Sequence, residues 1–293
     1  MMRRSLISVM LTCLLLRSAG AGRSVLPEDN DMALDRELKM LNKPYVKSFK
    51  DKYGVVFDCV DMYKQPAFDH PLLKDHKLQF AQLLVDSVEG SKFQAAGAVV
   101  EVDAVSVPAG QVSSAQILLV DDSFHSSIIN IIQAGWSADD HRTTGCLNVQ
   151  CAGFIVLSQT STPGMVLPTG TAGISISKDG QTGNWQVFLN QEMVGYFPKE
   201  IINNMDGATQ VQMGGITYAQ PGQKSPPMGN GVAPVPGKTT IASKFTQAGV
   251  QGANMANKRV TKDVSDPAIY NIVRTSDSGV EGNAFQYGGP GGA

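Results

Sequence analysis

The sequence predicts an all-β fold, an antiparallel β-sandwich preceded by a small α/β region. Two observations lead to this fold class. Beyond residue 94, short runs of β-branched and aromatic residues recur with turn residues between them, at the spacing typical of a sandwich. The chain is also rich in glycine, with 30 in 293 residues, and that length suits one large β domain or two unequal ones.

The N-terminus has the features of a secretory signal peptide. Arg3 and Arg4 form a basic start, residues 6–16 form an apolar run too short to span a bilayer, and residues 19–21 read Ala-Gly-Ala. We therefore expect cleavage after Ala21, giving a signal peptide of residues 1–21, and secretion to the extracellular space, with the apoplast and the vacuole as alternative destinations. No later segment is long and apolar enough to cross a membrane, so the sequence predicts no membrane partner.

Residues 22–90 are expected to form the small α/β region. Within it, residues 31–41 are the best helix candidate, because apolar side chains recur there at three- and four-residue steps. Residues 55–63 are rich in β-branched and aromatic side chains and predict a strand. Prolines then hold the chain extended, and the polar residues 87–94 are interpreted as a linker.

Residues 91–293 are expected to form the sandwich itself. Each predicted strand is a short apolar or alternating run that ends at a turn signal. A short helix is expected at residues 199–205, and a loop rich in proline and glycine at residues 221–237. The predicted strands are residues 98–107, 115–120, 128–132, 151–157, 173–177, 185–189, 193–197, 210–213 and 216–219, with weaker candidates at 239–245, 260 and 270–273.

Cys146 and Cys151 stand four residues apart, just before an apolar run. In an oxidising compartment a disulfide can close so short a loop; a pair of buried free thiols is the alternative. No second Cys or His pair lies at ligand spacing, so the sequence predicts no metal site. It likewise indicates no cofactor. Cys59 is then either a free thiol in the mature chain or lost with a removed segment.

Charge and motifs exclude several function classes. The formal net charge is −2, with no clustered basic face of the kind that binds nucleic acid. No Gly-x-Ser-x-Gly elbow is present, and the four histidines do not stand at metal-binding spacing. Glu101, Glu192 and Glu200 lie in or near strand-like segments, but nothing in the sequence brings them together. The residues alone indicate a secreted β-sandwich and no more.

Longer motifs add a family resemblance. In the first part of the chain they are Leu41-Asn42-Lys43-Pro44 and the run Phe57 to Lys74, which reads FDCVDMYKQPAFDHPLLK. In the second part they are shorter, and in order they are Gly135-Trp136, Thr144-Gly145-Cys146, Cys151-x-Gly153-Phe154, Thr182-Gly183-Asn184-Trp185, Val194 to Glu200, Gly214-Gly215, Met228 to Gly231 and Tyr287 to Gly291. The first part resembles the activation-peptide region of the plant neprosin family, and the second resembles its catalytic domain. The resemblance implies a secreted glutamic endopeptidase that cleaves at proline and is made with an activation peptide, its own partner until maturation at acid pH.

The catalytic positions of the family are substituted in this chain. The resemblance places one glutamate just before Ala134-Gly135-Trp136 and the other just after Gly214-Gly215, where this sequence has Gln133 and Ile216. An amide can still donate to an oxyanion, as in a related class of glutamic peptidases that pairs Gln with Glu. An isoleucine can neither accept nor donate a proton. We therefore expect a neprosin-like protein whose peptidase activity is lost or much reduced.

Two other hypotheses stay open. The first is an active acid peptidase that uses another carboxylate, such as Glu101 or Glu192. The second is a non-enzymatic module that binds proline-rich peptides or cell-wall glycans, in which Trp136, Trp185 and Tyr196 stack on the ligand. The preferred alternative for these three aromatics is that they fill the core. The chain also lacks about one strand of the family pattern between Trp136 and Thr144.

Overall fold

The computed structural model describes residues 44–50, 56–60, 77–122, 130–138, 153–220, 222–238, 240–252, 258–276 and 283–292. The chain divides into two compact units, Met1–His76 and Lys77–Ala293. The predicted signal peptide, the predicted helix at residues 31–41 and both Cys146 and Cys151 lie outside the described residues. The boundary at residue 90 between the activation-peptide-like region and the sandwich domain stays a prediction.

The first unit contains one described hairpin. Strand β1 (Tyr45–Lys50) pairs antiparallel with β2 (Val56–Val60). The strand predicted at residues 55–63 is confirmed over the part that is described. Its valines and phenylalanine favour an extended backbone because branched and aromatic side chains fit a pleated surface.

The second unit consists of two antiparallel sheets. The five-stranded sheet has the order β13-β3-β11-β5-β6, and the eight-stranded sheet has the order β14-β15-β12-β4-β8-β9-β10-β7. A single 3-10 turn, Lys199–Ile202, is described in this unit. The strands are β3 (Lys77–Asp86), β4 (Phe93–Val102), β5 (Val112–Asp121), β6 (Asn130–Ala138), β7 (Ile155–Val156), β8 (Gly170–Lys178), β9 (Trp185–Leu189), β10 (Glu192–Phe197), β11 (Gln210–Ala219), β12 (Lys244–Gly252), β13 (Arg259–Val264), β14 (Asn271–Ser276) and β15 (Ala284–Gly288).

The core lies between these two sheets. Alternate side chains of each strand point into it, so that Ile117 and Leu119 of β5 are buried on the same side as Val211 of β11. From the other sheet, Phe245 stacks on Phe285 with ring centroids 4.8 Å apart. The predicted all-β sandwich is therefore confirmed. Within the described residues, no helix has both the length and the apolar character that a membrane span requires.

Several predicted elements differ from the structure. Residues 210–213 and 216–219 are not two strands but one, β11. No strand was predicted at β1, β3 or β15. The segment interpreted as a linker, residues 87–94, is the short connection between β3 and β4 together with the start of β4. The helix expected at residues 199–205 stops after one 3-10 turn, because Asn203 adopts a left-handed conformation with φ 52°.

The two glycines of β11 explain why one strand was read as two. A glycine usually weakens a strand, but here each one permits a close approach. A Cβ on Gly215 would lie 2.5 Å from Sδ of Met228. Gly214, at φ 154°, would place its Cβ 2.2 Å from the carbonyl oxygen of Ala81. The glycines are therefore required by packing on both faces of a continuous strand.

Candidate functional site

The face of the five-stranded sheet that points away from the core, here called the outer face, carries a row in which glycines alternate with amide side chains. Register pairing places one residue from each strand side by side across all five strands. In order from β13 to β6 these residues, here called the glycine row, are Asp263, Gln82, Gly214, Gln116 and Gly135. The two glycines belong to two of the motifs that carried the family resemblance, Gly135-Trp136 and Gly214-Gly215.

Gly135 is fixed in this row by the same close approach as Gly214. A Cβ on Gly135 would lie 2.2 Å from the carbonyl oxygen of Ala115 and 2.7 Å from Cα of Gln116. Contacts this short force the backbone apart, so a larger residue at position 135 would break the β5–β6 pairing. Packing therefore keeps side chains out of the row on both sides of Gln116.

Gln133 and Ile216 flank the glycine row from opposite sides. Gln133 is paired with Leu118 of β5, and Ile216 is paired with Ser114 of the same strand. The two positions are thus four residues apart along β5, or about 13 Å, with that strand between them. Gln133 is exposed and Ile216 is half-buried. The structure brings both predicted positions to one face.

Two carboxylates of the five described strands share this outer face, and neither is among the acids named from the sequence. Asp86 is occupied, because it accepts hydrogen bonds from Arg259 Nε at 3.0 Å and from Gln210 Nε2 at 2.6 Å. Asp263 lies in the glycine row opposite Gln82. Burial raises the pKa of the Asp263 carboxyl above its ordinary value of 3.8. Val260 and Val264 lie on one face of β13, so period-2 alternation places Asp263 on the opposite face. This pattern was the signal in the sequence that could have identified Asp263.

Glu101 and Glu192, the alternative acids, lie on the eight-stranded sheet in β4 and β10. The carboxylate of Glu101 accepts a hydrogen bond from the backbone N–H of Lys244 at 3.0 Å. Glu192 accepts hydrogen bonds from the hydroxyls of Ser158, Thr160 and Ser161. The structure therefore does not bring either glutamate together with Gln133 or Ile216.

Glu192 is expected to stay ionised well into the acid range. Hydrogen bonds from Ser158, Thr160 and Ser161 lower its pKa from 4.5 to about 2, since they favour the charged form. Any stability from these bonds is therefore present above pH 4.5 and lost as the pH falls towards 2. An NMR titration of the side-chain carboxyl should show this low midpoint.

Two variants sharpen this titration. Replacing Ser158 and Ser161 together with Ala should return the midpoint of Glu192 towards 4.5. The control, Thr171→Ala, removes an exposed hydroxyl of β8 and should leave the midpoint unchanged. A wild-type midpoint already near the ordinary value contradicts the hydroxyl cluster.

The two tryptophans fill the core and do not line a cleft. Trp185 is fully buried and its Nε1 donates to the carbonyl oxygen of Met205 at 3.3 Å. Trp136 is 8% exposed on the inner face of β6, and its Nε1 donates to the carbonyl oxygen of Glu101 at 2.8 Å. The two rings therefore occupy the position that the preferred alternative expected, in the core. Tyr196 is half-buried in β10 of the other sheet, away from Gln133 and Ile216.

No group of three or more His, Cys, Asp or Glu side chains that could hold a metal ion occurs among the residues that the structure describes. The polar side chains beside Gln133 and Ile216 are instead amides and hydroxyls. Gln82, Gln116 and Gln212 lie on the outer face with Ser114 and Ser137. Such a surface can form hydrogen bonds but offers few groups that exchange protons near neutral pH.

Comparison with solved structures finds four matching chains. One of them, from a structure titled "Crystal structure of Scytalido-glutamic peptidase with a peptide based transition state analog", is 13% identical in sequence and covers 72% of this chain and 98% of that chain, with a TM-score of 0.38.

Comparison with family models gives two matches. The model described as neprosin activation peptide matches residues 48–101, a segment that runs through β3 and most of β4. The model described as neprosin matches residues 132–290, from β6 to the end of β15. Since this second match alone spans more than half of the sequence, the chain belongs to the neprosin family.

Proposed function

We propose that this neprosin-family protein is secreted and binds proline-rich peptide segments on the outer face of its five-stranded sheet, with peptidase activity lost or much reduced. The observation that carries the proposal is the pair Gln133 and Ile216. They flank one row of that face at the positions where the resemblance expects catalytic glutamates. The signal-peptide features of residues 1–21 support secretion.

The chemistry of peptide hydrolysis explains why activity should be low. A general base must take a proton from the attacking water, and an acid must protonate the leaving amine. Gln133 can donate a hydrogen bond to an oxyanion but does not take up a proton at ordinary pH. Ile216 has no polar atom in its side chain. Losing a positioned general acid or base costs about 10²–10⁴-fold in rate.

A second candidate function is residual acid hydrolysis that uses Asp263. This carboxyl shares the glycine row with Gln82, and burial raises its pKa, which favours the protonated form. Among the described strands it has no second free carboxylate on this face, because Asp86 is held by Arg259. A single acid of this kind supports slow turnover at most, so we rank this candidate second.

The test is cleavage and binding measured in one preparation. The purified full-length protein, incubated in acid, is mixed with a proline-rich peptide, and products are followed by mass spectrometry while binding is followed by calorimetry. We expect binding without cleavage at proline. Robust turnover would overturn the loss of activity; turnover that Asp263→Asn abolishes would establish the second candidate. Absence of binding would overturn the proposed binding function.

A further inference from the structure

Gln82 is exceptional among the outer-face residues of the five described strands. It is only 4% exposed, yet its amide nitrogen Nε2 has no hydrogen-bond partner. Buried polar groups in folded proteins are nearly always hydrogen-bonded. The unpaired Nε2 of Gln82 is therefore a donor that an acceptor from a bound molecule could satisfy.

The position beside Gln82 on β11 carries no side chain in the glycine row. This register partner of Gln82 is Gly214, which cannot carry a Cβ because of the backbone of Ala81 and Gln82. The next residue along the row is Gln116, and Gly135 follows it. Two amide side chains thus alternate with two residues that have none.

The spacing of these amides matches one backbone conformation. Gln82 and Gln116 are separated by two inter-strand steps, or about 9.6 Å. A polyproline II helix has three residues per turn and rises 3.1 Å per residue, so equivalent carbonyls recur about every 9.3 Å. Proline has no backbone N–H, and its carbonyl oxygens are therefore acceptors that an amide N–H can pair with.

We propose that Gln82 is the carbonyl-binding subsite of this face, and that its Nε2 donates to a backbone carbonyl of a proline-rich peptide in polyproline II conformation lying along the glycine row. Gln116 donates to the equivalent carbonyl one turn later. This assignment rests on the proposed function and names the side chain that gives it selectivity. The ligand runs across the strands and does not pair with a strand edge.

The experiment compares Gln82→Leu with wild type, using acid-incubated full-length protein and an oligoproline peptide as the probe. Calorimetry should show that the variant binds about 3–10-fold more weakly, the worth of one ordinary hydrogen bond. The same variant without peptide should melt about 2–6 °C higher than wild type, because an unsatisfied buried donor has been removed. Gln251→Leu, a matched change on an exposed glutamine of β12, should alter neither value.

Each outcome decides something different. If wild type does not bind oligoproline, both the proposed function and this subsite are overturned. If wild type binds and Gln82→Leu binds equally well, the function stands and the subsite is overturned. A Gln82→Leu variant that melts below wild type shows an amide already satisfied in the free protein, which also overturns the subsite. Weaker binding together with a higher melting temperature supports it.

Discussion

Deleting residues 1–90 is expected to abolish folding of the sandwich, whereas deleting residues 1–76 should leave it folded. The difference between the two truncations is β3, which lies inside the five-stranded sheet between β13 and β11. Its ten residues pair with β11 along their full length, and residues 81–86 also pair with β13. Without β3, both neighbours lose a backbone ladder and become unpaired edges.

The energetic loss is large compared with the stability of a domain. Ala81, Leu83 and Val85 of β3 are buried in the core, and deleting one large buried side chain typically costs about 2–5 kcal/mol. The shorter chain also loses the hydrogen bond from Phe80 N to Ser265 Oγ at 2.8 Å. Because whole domains are stable by only about 5–15 kcal/mol, losing one interior strand is enough to unfold the sandwich.

Circular dichroism and thermal melting of the two truncated proteins check this prediction. The protein that begins at Lys77 should melt cooperatively, and the one that begins at Ser91 should not. A cooperative melt of the shorter protein would show that β3 is dispensable. The result also bears on maturation, since the activation-peptide match extends to residue 101. We expect any processing that yields a folded product to leave β3 and β4 in place.

The strands that the sequence predicted well share a physical cause. β5, β9 and β10 are runs of branched and aromatic residues bounded by turn residues, so local propensity and burial agree. β3 was overlooked although lysine and glutamines alternate in it with apolar residues, a pattern that favours a strand. It follows a segment that resembles the activation peptide, and that resemblance gave no secondary structure. β15 was missed because it runs into the glycine-rich end. In β11, the glycines indicated a break that packing against Met228 and Ala81 does not allow.

The candidate site was predictable only in part. The neighbouring motifs identified Gln133 and Ile216, because these residues stand beside recognisable glycines. Asp263 and Gln82 could not be found this way, since their place on the face depends on pairing between strands that are far apart in sequence. Register is a long-range property set by the whole sheet. The burial of Trp136 could not be read from the sequence for the same reason, because it depends on how the two sheets pack together.

Restoring both family glutamates, as Gln133→Glu with Ile216→Glu, is expected to raise the rate of peptide cleavage at proline in acid by about 10²-fold or more over wild type. The magnitude follows from the cost of a missing general acid or base. The backbone on which the two residues stand is unchanged, because Gly135 and Gly214 fix the strands beside them. Cleavage is measured by mass spectrometry with the same proline-rich peptide.

The single variants separate the roles of the two positions. Ile216→Glu alone should recover more activity than Gln133→Glu alone, because it supplies a proton acceptor while Gln133 can still donate to an oxyanion. Asp263→Asn in the double variant should have little effect, provided that the restored pair carries the reaction. Thermal melting must accompany each rate, since Ile216 is half-buried and a glutamate there is partly desolvated.

A folded double variant without activity would show that more than two side chains separate this protein from an active peptidase. The outer face would then lack a group besides the carboxylates. The segment between Trp136 and Thr144, which the resemblance indicates is shorter than the family pattern, would be the first place to seek it. A rise in activity that Asp263→Asn removes would instead place the working acid in the glycine row. If the cleavage rate rises and Asp263→Asn does not lower it again, the two restored glutamates carry the proton transfer that wild type lacks. The outer face must then also bind the peptide, which its amide side chains can do.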